Sequence, residues 1–303
     1  MSAQSEQGGP PPWINPAMQQ RIPWRERDIV IAVPPKSGTT WTMNIVYQLL
    51  SGGDPTFFDI YAEVPWIEFM TRPDMPVEEL LARLERMPHS RPRAFKSHST
   101  PPVLNYAPPG SDKDIRYIVI MRNPEEALVS MKTFMEQHSD TWFALWQVPR
   151  QALERATFTR FYHDIIEHSG MHHRLFGFLN GWWPLRTQAN VLCMHFADMI
   201  RDHAGSVRRI ADFIGVQPTP EQWTAIMQYT SFTWMKQYDT KFDYLSAEVP
   251  LLQPGAMVRK GKAGAAHEDG MTASIAAHLR ALGERSCADK RALRWLYEGG
   301  ALS

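Results

Sequence analysis

The segment from Asp28 to Leu50 constrains the fold more than any other part of the chain. It begins with a β-branched run, Ile29 to Val33, which predicts a buried strand because such side chains favour strands and two prolines end the run. After the loop of residues 34–40, apolar residues recur at helical spacing from Trp41 onward, which predicts a helix. A strand, a loop and a helix in this order are typical of a site that binds an oxyanion.

The loop contains the groups that bind an oxyanion. Gly38 lets the backbone approach the ligand closely, and the unpaired N–H groups of Thr39 and Thr40 point toward it from the start of the helix. Lys36 adds a full positive charge. The order differs from the common nucleoside triphosphate loop, in which lysine follows a glycine directly, because here Lys36 precedes Ser37 and Gly38. The loop is therefore P-loop-like but of another kind.

Four motifs resemble those of the sulfotransferases that use 3′-phosphoadenosine 5′-phosphosulfate (PAPS). Residues 34–41 resemble the loop that binds the 5′-phosphosulfate, and Phe95 to His98 resembles the strand end that carries the catalytic histidine. Ile115 to Phe134 is similar to the segment that binds the 3′-phosphate, and Met257 to Gly264 to the loop that closes over it. Because the motifs keep the family's order, the chain resembles the soluble, cytosolic-type branch of this family.

The resemblance implies a set of catalytic and cofactor-binding residues. His98 would be the general base, Lys36 would stabilise the leaving phosphate oxygen, Lys96 would support the same transition state, and Ser130 would contact Lys36 and the 3′-phosphate. The implied cofactor-binding residues are Lys36, Ser37, Gly38, Thr39, Thr40, Trp41, Arg122, Ser130, Thr230, Phe232, Arg259, Lys260 and Gly261. The cosubstrate would be PAPS, the product 3′-phosphoadenosine 5′-phosphate (PAP), and no metal would be required. The remaining histidines, His138 among them, are expected to be core or surface residues.

The acceptor is the part of the reaction that the sequence specifies least. The resemblance and the aromatic content suggest an acceptor site formed by Trp66, Phe69, Trp142, Phe143 and Tyr244. Eleven tryptophans favour an apolar or aromatic small molecule with a hydroxyl or amine group. Phenol, sterol, lipid, sugar and amine acceptors all stay open.

Three residues depart from the family pattern. Phe196 stands where related sulfotransferases commonly have a tyrosine, and Ala265 and Ala266 stand where acidic and tryptophan residues often follow the C-terminal glycine. We therefore expect cofactor affinity or loop closure to differ from the family's. The short dimerisation signature of many animal relatives is not recognisable, which leaves homodimerisation through another surface open.

Composition sets the class of protein. A chain of 303 residues with 44% hydrophobic content can bury a large core as one domain, and a net charge of +0 argues against a general nucleic-acid or membrane binder. The two cysteines, Cys193 and Cys287, predict neither a disulfide framework nor a cysteine metal site. With no leader or membrane-spanning run recognisable, we expect a cytoplasmic protein. Residues 1–22 are predicted to be a flexible segment, or an arm that docks late, before a domain of residues 23–303.

Strand-like and helix-like runs alternate along the chain, which predicts an α/β fold with a central, mainly parallel sheet flanked by helices. The predicted strands are Ile29 to Val33, Arg93 to Lys96, Arg116 to Met121 and Asn190 to Phe196. The predicted helices are Val77 to Arg86, Pro124 to Gln137, Ala152 to His168, Ala204 to Ile214 and Glu221 to Gln228. Because ligands of such sheets bind at the carboxyl ends of the strands, Lys36, His98 and Arg122 should converge there.

Two other functions stay open at this stage. A nucleotide or small-molecule kinase would also use a strand, loop and helix, but the strand ending at Met121 is followed by Arg122 and Asn123 rather than by a metal-binding carboxylate. An inactive nucleotide-binding scaffold would keep the pocket without turnover. The presence of Lys36 and His98 argues against a scaffold, whereas the altered C-terminal segment leaves it open.

Overall fold

The computed structural model describes residues 10–302, and a four-stranded parallel sheet lies at its centre. The strands are β1 (Ile29–Ala32), β2 (Ala94–Ser97), β3 (Arg116–Met121) and β4 (Val191–His195). Their order is β2-β1-β3-β4, and every neighbouring pair is parallel. The four predicted strands and the parallel arrangement are therefore confirmed, with differences of one or two residues at the strand ends.

Helices cover both faces of the sheet. They are α1 (Thr39–Ser51), α2 (Ile60–Glu63), α3 (Val77–Glu85), α4 (Pro124–Glu136), α5 (Asp140–Trp146), α6 (Phe158–Phe161), α7 (Met171–Trp182), α8 (Phe196–Arg201), α9 (His203–Ile214), α10 (Pro220–Tyr229), α11 (Phe232–Gln237), α12 (Ala273–Ser286) and α13 (Lys290–Glu298). Helix α4 begins as its sequence predicts, because the Asn123 side chain accepts a 2.9 Å hydrogen bond from the Glu125 N–H and proline follows the cap. Four of the five predicted helices are found within about two residues of their expected ends.

Alternate residues of the strands contribute to two apolar clusters. Ile29 and Ile31 face one cluster, which includes residues of α1 and α9. Val30 and Ala32 face the other, which includes residues of α3, α7 and α13. A parallel sheet buried on both faces is expected to have strands that are apolar throughout, and all four residues of β1 are buried.

The prediction of one helix over Ala152 to His168 is wrong. A 3₁₀ turn, Arg150–Ala152, is followed by irregular backbone, and α6 begins only after Thr157, whose side chain accepts a hydrogen bond from the Arg160 N–H at 3.2 Å. The chain then continues as a π-helix, Tyr162–Glu167. A threonine that caps a helix start interrupts the apolar periodicity on which the prediction depended.

Part of the segment predicted to be flexible packs onto the domain. Residues 16–21 form a 3₁₀ helix, and Met18 and Ile22 are buried in the second apolar cluster. The Gln19 amide donates a 2.8 Å hydrogen bond to the Ser99 hydroxyl, just beyond β2. Residues 13–22 are therefore a docked arm, the second of the two alternatives, rather than a flexible segment, because their apolar side chains have a surface to bury against. Residues 1–9 lie outside the described residues.

The structure also shows the state of the two cysteines and the character of the helices. Cys193 and Cys287 are buried and carry free thiols, and burial raises the pKa of both. Within residues 10–302, no helix combines the length and the apolar character needed to span a bilayer.

Candidate active site

A cavity of about 630 Å³ opens at the carboxyl ends of the strands. Its lining includes residues that follow each strand: Pro34 after β1, His98 after β2, Arg122 after β3 and Phe196 after β4. The structure thus brings Lys36, which also lines the cavity, together with His98 and Arg122, as the rule for open α/β sheets predicts.

The loop between β1 and α1 has a backbone suited to anion binding. Gly38 is the N-cap of α1 with φ of 95°, and a Cβ at this position would lie 2.6 Å from Cδ2 of Phe196, so only glycine fits. Lys36 also has a positive φ, 63°, which is uncommon for a residue with a side chain. The first N–H groups of α1, those of Thr39 and Thr40, have no intrahelical acceptor and can bind an oxyanion.

Lys36, Arg122 and Arg259 line one part of the cavity, which we call its cationic end. Burial, together with the charges of Arg122 and Arg259, lowers the pKa of Lys36 to about 7. Its Nζ lies 4.3 Å from the ring centroid of Phe134. A lysine in this setting gains its proton readily when an anion binds beside it.

Arg122 joins the anion-binding loop to α4. Its Nη1 donates a 3.0 Å hydrogen bond to the Lys36 carbonyl, and its Nε is 2.9 Å from Oε2 of Glu126. The guanidinium lies 4.5 Å from the centroid of Phe196. Phe196 therefore supports both Gly38 and Arg122 by ring contact, without a hydroxyl group.

The C-terminal loop of residues 257–264 is anchored to α4. Arg122 Nη2 donates a 3.2 Å hydrogen bond to the Lys262 carbonyl, and the Gly264 N–H donates to Glu126. Gly261 has a φ of 58°, and a Cβ there would lie 2.3 Å from Cδ2 of Phe232. The Gly264 hydrogen bond thus ties the end of the loop to α4, and the Phe232 ring leaves no room for a side chain at position 261.

Two cations of this loop share one acidic partner. Arg259 lies 3.6 Å from Asp269, and Lys260 also pairs with Asp269. All three side chains line the cavity. A phosphate entering here would find the cations already positioned, with part of their charge compensated by Asp269.

His98 presents one free ring nitrogen. Its Nδ1–H donates to the Val33 carbonyl, and its backbone N–H donates to Oε1 of Glu68. Because Nδ1 carries the hydrogen, Nε2 carries the lone pair. Burial and the charge of Lys96 hold the pKa of His98 well below its usual value, so the ring is neutral and can accept a proton.

Glu68 is a site residue that the sequence reasoning missed. It is 1% exposed, lines the cavity, and has no hydrogen-bond partner for Oε2 among the described residues. Burial raises its pKa to about 7, and burial likewise lowers the pKa of Lys96 to about 7. The signal was available in residues 64–69, since Glu68 is the one charged residue in an otherwise apolar run.

Another part of the cavity wall, which we call its aromatic end, is formed by Trp66, Phe69, Trp142 and Tyr244. Trp66 and Phe69 stack at 4.7 Å, and Tyr244 lies 5.3 Å from Phe69. Trp142 lines the same region and contacts Trp13 edge to face at 4.6 Å. Trp13, which lies in the segment predicted to be flexible, is a second lining residue that the sequence reasoning missed.

Three predicted site residues do not line the cavity. Thr230 is fully buried behind Trp41, whose Nε1 donates a 2.8 Å hydrogen bond to the Thr230 carbonyl. Phe143 packs against the Arg150 guanidinium at 4.6 Å. Ser37 belongs to the loop between β1 and α1, and it is fully buried. The other predicted site residues line the cavity: Lys36, Gly38, Thr39, Thr40, Trp41, Trp66, Phe69, Lys96, His98, Arg122, Ser130, Trp142, Phe232, Tyr244, Arg259, Lys260 and Gly261.

Comparison with known proteins identifies the family. The sulfotransferase domain model matches residues 26–291. Sulfotransferase 2A6 of Rattus norvegicus is 27% identical over 255 residues, which cover 79% of this chain and 78% of that protein. The 3-alpha-hydroxysteroid sulfotransferase of Cavia porcellus is 26% identical over 243 residues, covering 79% and 77%.

Solved structures share the fold. Mouse sulfotransferase SULT7A1, complexed with PAP, aligns with a TM-score of 0.68 at 21% identity, over 93% of this chain and 91% of that one. Retinol dehydratase in complex with androsterone and the inactive cofactor PAP aligns with a TM-score of 0.60 at 19% identity, over 93% and 84%. Because the family model covers most of the chain, this protein belongs to the sulfotransferase family and is an enzyme that transfers sulfate.

Proposed function

We propose that this sulfotransferase transfers the sulfuryl group of PAPS to a hydroxyl group of an apolar or aromatic small molecule and releases PAP. One observation carries the proposal: a single cavity joins a cationic end, at Lys36 and Arg122, to an aromatic end, with the neutral His98 in the same wall. The proposed setting is the cytoplasm.

The cationic end fits the two anionic groups of PAPS. We assign the 5′-phosphosulfate to Lys36 and the N–H groups at the start of α1, since a helix N-terminus and a lysine favour an anion. The 3′-phosphate is assigned to Arg122, Ser130 and the Arg259–Gly261 loop, where the guanidinium forks match phosphate oxygens. The adenine would stack on Trp41 and Phe232, which line the cavity beside these groups.

The chemistry requires one proton acceptor and one stabiliser of the leaving group. Nε2 of His98 takes the proton of the acceptor hydroxyl while that oxygen forms its bond to sulfur. The bond between sulfur and the bridging phosphate oxygen breaks, and Lys36 stabilises the negative charge that grows on that oxygen. Lys96, which lies 3.5 Å from the Trp66 ring centroid, adds positive charge on the acceptor side.

The acceptor is proposed to be a hydroxyl on a flat apolar ring system. Trp66, Phe69, Trp142 and Tyr244 offer such a molecule aromatic faces and edges. The names of two similar proteins point the same way, since one is a 3-alpha-hydroxysteroid sulfotransferase and the other was crystallised with androsterone. Phenols share these properties and belong in the same acceptor screen.

Calorimetric titration with PAP tests the cofactor assignment. We expect metal-independent binding of PAP, and much weaker binding of adenosine 5′-phosphosulfate and of ATP with Mg²⁺, because neither has the 3′-phosphate. A preference for ATP with Mg²⁺ would instead support the kinase alternative. Binding of PAP with no turnover of PAPS across phenols and hydroxysteroids would support the inactive scaffold.

Substitution at His98 tests the proton acceptor. With an acceptor that the wild type sulfates, His98→Ala should lower kcat by about 100-fold or more and leave PAP affinity nearly unchanged, because general base catalysis contributes that much to a rate. His89→Ala is the matched control, since His89 is exposed and does not line the cavity. Normal turnover by the His98 variant would disprove its assignment as the base.

A further inference from the structure

His138 is a second buried histidine in the wall of the proposed active site. It follows α4, is 6% exposed and lines the same cavity as His98. The sequence predicts a core or surface residue at this position, and the proposed transfer chemistry does not use it. Its placement in the wall therefore requires a separate explanation.

The hydrogen bonding of His138 leaves one ring nitrogen available to a ligand. Nδ1 lies 3.1 Å from the Met135 carbonyl oxygen, which can only accept, so Nδ1 carries the hydrogen and Nε2 the lone pair. No group among residues 10–302 donates a hydrogen bond to Nε2. Nε2 is therefore an acceptor in the cavity wall that can take a hydrogen bond from a donor on a bound molecule.

The surroundings of His138 keep the ring neutral. Burial lowers its pKa to about 4, and the charged groups that face it, Lys36 and Arg150, are both cations that oppose protonation. Its other neighbours are aromatic, with Trp142 at 4.1 Å and Phe134 at 5.0 Å between ring centroids. Above about pH 5, His138 is therefore a hydrogen-bond acceptor in an aromatic wall.

Phe134 connects His138 to the part of the cavity where the transfer is proposed to occur. The centroid of the Phe134 ring lies 5.0 Å from that of the His138 ring and 4.3 Å from Nζ of Lys36. Phe134 thus contacts both His138 and the proposed leaving-group stabiliser. His98, Phe134, Trp142 and His138 all line this one cavity, and we place the body of one bound molecule among them.

We propose that His138 selects the acceptor: its Nε2 accepts a hydrogen bond from a second hydroxyl, so the enzyme prefers diols over mono-ols of the same ring system. This inference rests on the proposed function, because it assumes that the aromatic end holds the acceptor. It adds a substrate class, rigid apolar molecules with two hydroxyl groups, and a specificity-determining residue.

A matched set of naphthols tests the inference. The probes are 2-naphthol and the 2,3-, 2,6- and 2,7-dihydroxynaphthalenes, which share one apolar skeleton and differ in a second hydroxyl. Affinity for the complex with PAP is measured by calorimetry, and kcat/KM is measured with PAPS. For the wild type we expect the affinity and the kcat/KM of at least one diol to exceed those of 2-naphthol by about tenfold. This factor is counted beyond the statistical advantage of two hydroxyls, and it is the size expected for one buried hydrogen bond.

Three variants separate ligand recognition from a structural role. His138→Phe should abolish the preference for the diol and keep the affinity for 2-naphthol, because the ring remains and Nε2 is lost. His138→Asn can still donate to Met135 but lacks a group at the Nε2 position, so it should also lose the preference. His138→Gln places an amide near the Nε2 position and should restore part of it.

The outcomes distinguish this inference from the proposed function. If the wild type sulfates 2-naphthol and no diol is preferred, or if His138→Phe keeps the preference, the inference is overturned and the sulfotransferase assignment stands. If the complex with PAP binds none of the four probes, the inference is overturned together with the aromatic acceptor assignment. Unchanged PAP affinity and unchanged thermal unfolding of each variant show that the fold is intact.

Discussion

His98 is assigned to accept a proton and Lys36 to carry one, and burial lowers the pKa of both. Burial favours the neutral form of each, which suits a base but not a residue that must stabilise negative charge. The difference is resolved when the anionic cosubstrate binds beside Lys36, since a nearby negative charge raises the pKa of a lysine. In this account Lys36 becomes fully charged only in the loaded enzyme.

We predict that PAP binding takes up a proton. In the free enzyme the pKa of Lys36 is about 7, so at pH 8 the amine is mostly neutral. A bound phosphate raises that pKa, and up to about 0.9 proton is then taken up from the buffer. Calorimetric titration at pH 8 in two buffers of different ionisation enthalpy measures the uptake.

Lys36→Met should reduce this uptake, whereas Lys113→Met, at an exposed position outside the cavity, should leave it unchanged. Proton uptake at pH 8 is specific to a lysine with a lowered pKa, because a lysine with an ordinary pKa would already be charged and would take up no proton. Proton release on binding, or equal uptake by the Lys36 variant, would contradict the account.

At the scale of elements, helix α4 and the residues that flank it connect the cationic and aromatic parts of the cavity. Arg122, Glu126, Ser130, Phe134 and His138 follow each other at intervals of four residues, and all five line the cavity. Each of these residues neighbours the one four positions before it on the helix surface. The proposed 3′-phosphate contact, the cover of Lys36 and the proposed acceptor contact therefore follow one another along α4 and its two flanks.

The C-terminal loop gives a prediction at the same scale. Gly261→Ala should weaken PAP binding by about tenfold or more, because its Cβ would lie 2.3 Å from Phe232 and the loop would have to move away from the phosphate site. Gly264→Ala is a matched control. It also has a positive φ, 83°, but its Cβ would meet nothing within 4 Å. Calorimetric PAP affinities of the two variants provide the measurement, and equal losses would refute the role of the Phe232 contact.

The sequence predicted the parts of the site that depend on local pattern. The strand ends at Lys36, His98 and Arg122 follow from apolar runs that stop at a loop, and the start of α4 follows from its cap and proline. The four-residue spacing from Arg122 could have been extended to His138.

The roles of Glu68 and Trp13 depend on contacts between distant segments, which periodicity does not predict, and only the lone charge within residues 64–69 pointed to Glu68. Glu68 gains its role from the His98 N–H, 30 residues along the chain, and Trp13 from Trp142. Helix prediction failed after Ala152 for a different, local reason, since a threonine cap overrode an apolar pattern that looked continuous.

On the scale of the whole molecule, the sheet separates the site from a charged pair that holds its other end. Asp28 and Arg93 immediately precede β1 and β2, and their side chains are each 1% exposed. Arg93 Nε lies 2.9 Å from Oδ1 and Nη2 lies 2.5 Å from Oδ2, a two-point contact. The Arg25 N–H also donates to Asp28, at 2.7 Å, which connects the pair to the chain that enters the sheet.

Breaking this pair should destabilise the molecule without changing the site. Asp28→Asn leaves the Arg93 charge buried without a counter-charge, which should cost about 3–5 kcal/mol of unfolding free energy. Urea unfolding followed by tryptophan fluorescence measures the loss.

Glu79→Gln is the control for the buried pair. Glu79 pairs with Arg72, its side chain is 48% exposed, and such exposed pairs contribute about 1 kcal/mol or less. PAP affinity of the folded Asp28 variant should stay at the wild-type value, since the cavity lies at the opposite ends of the strands. Equal unfolding midpoints for the two variants would show that the buried pair does not hold the sheet together.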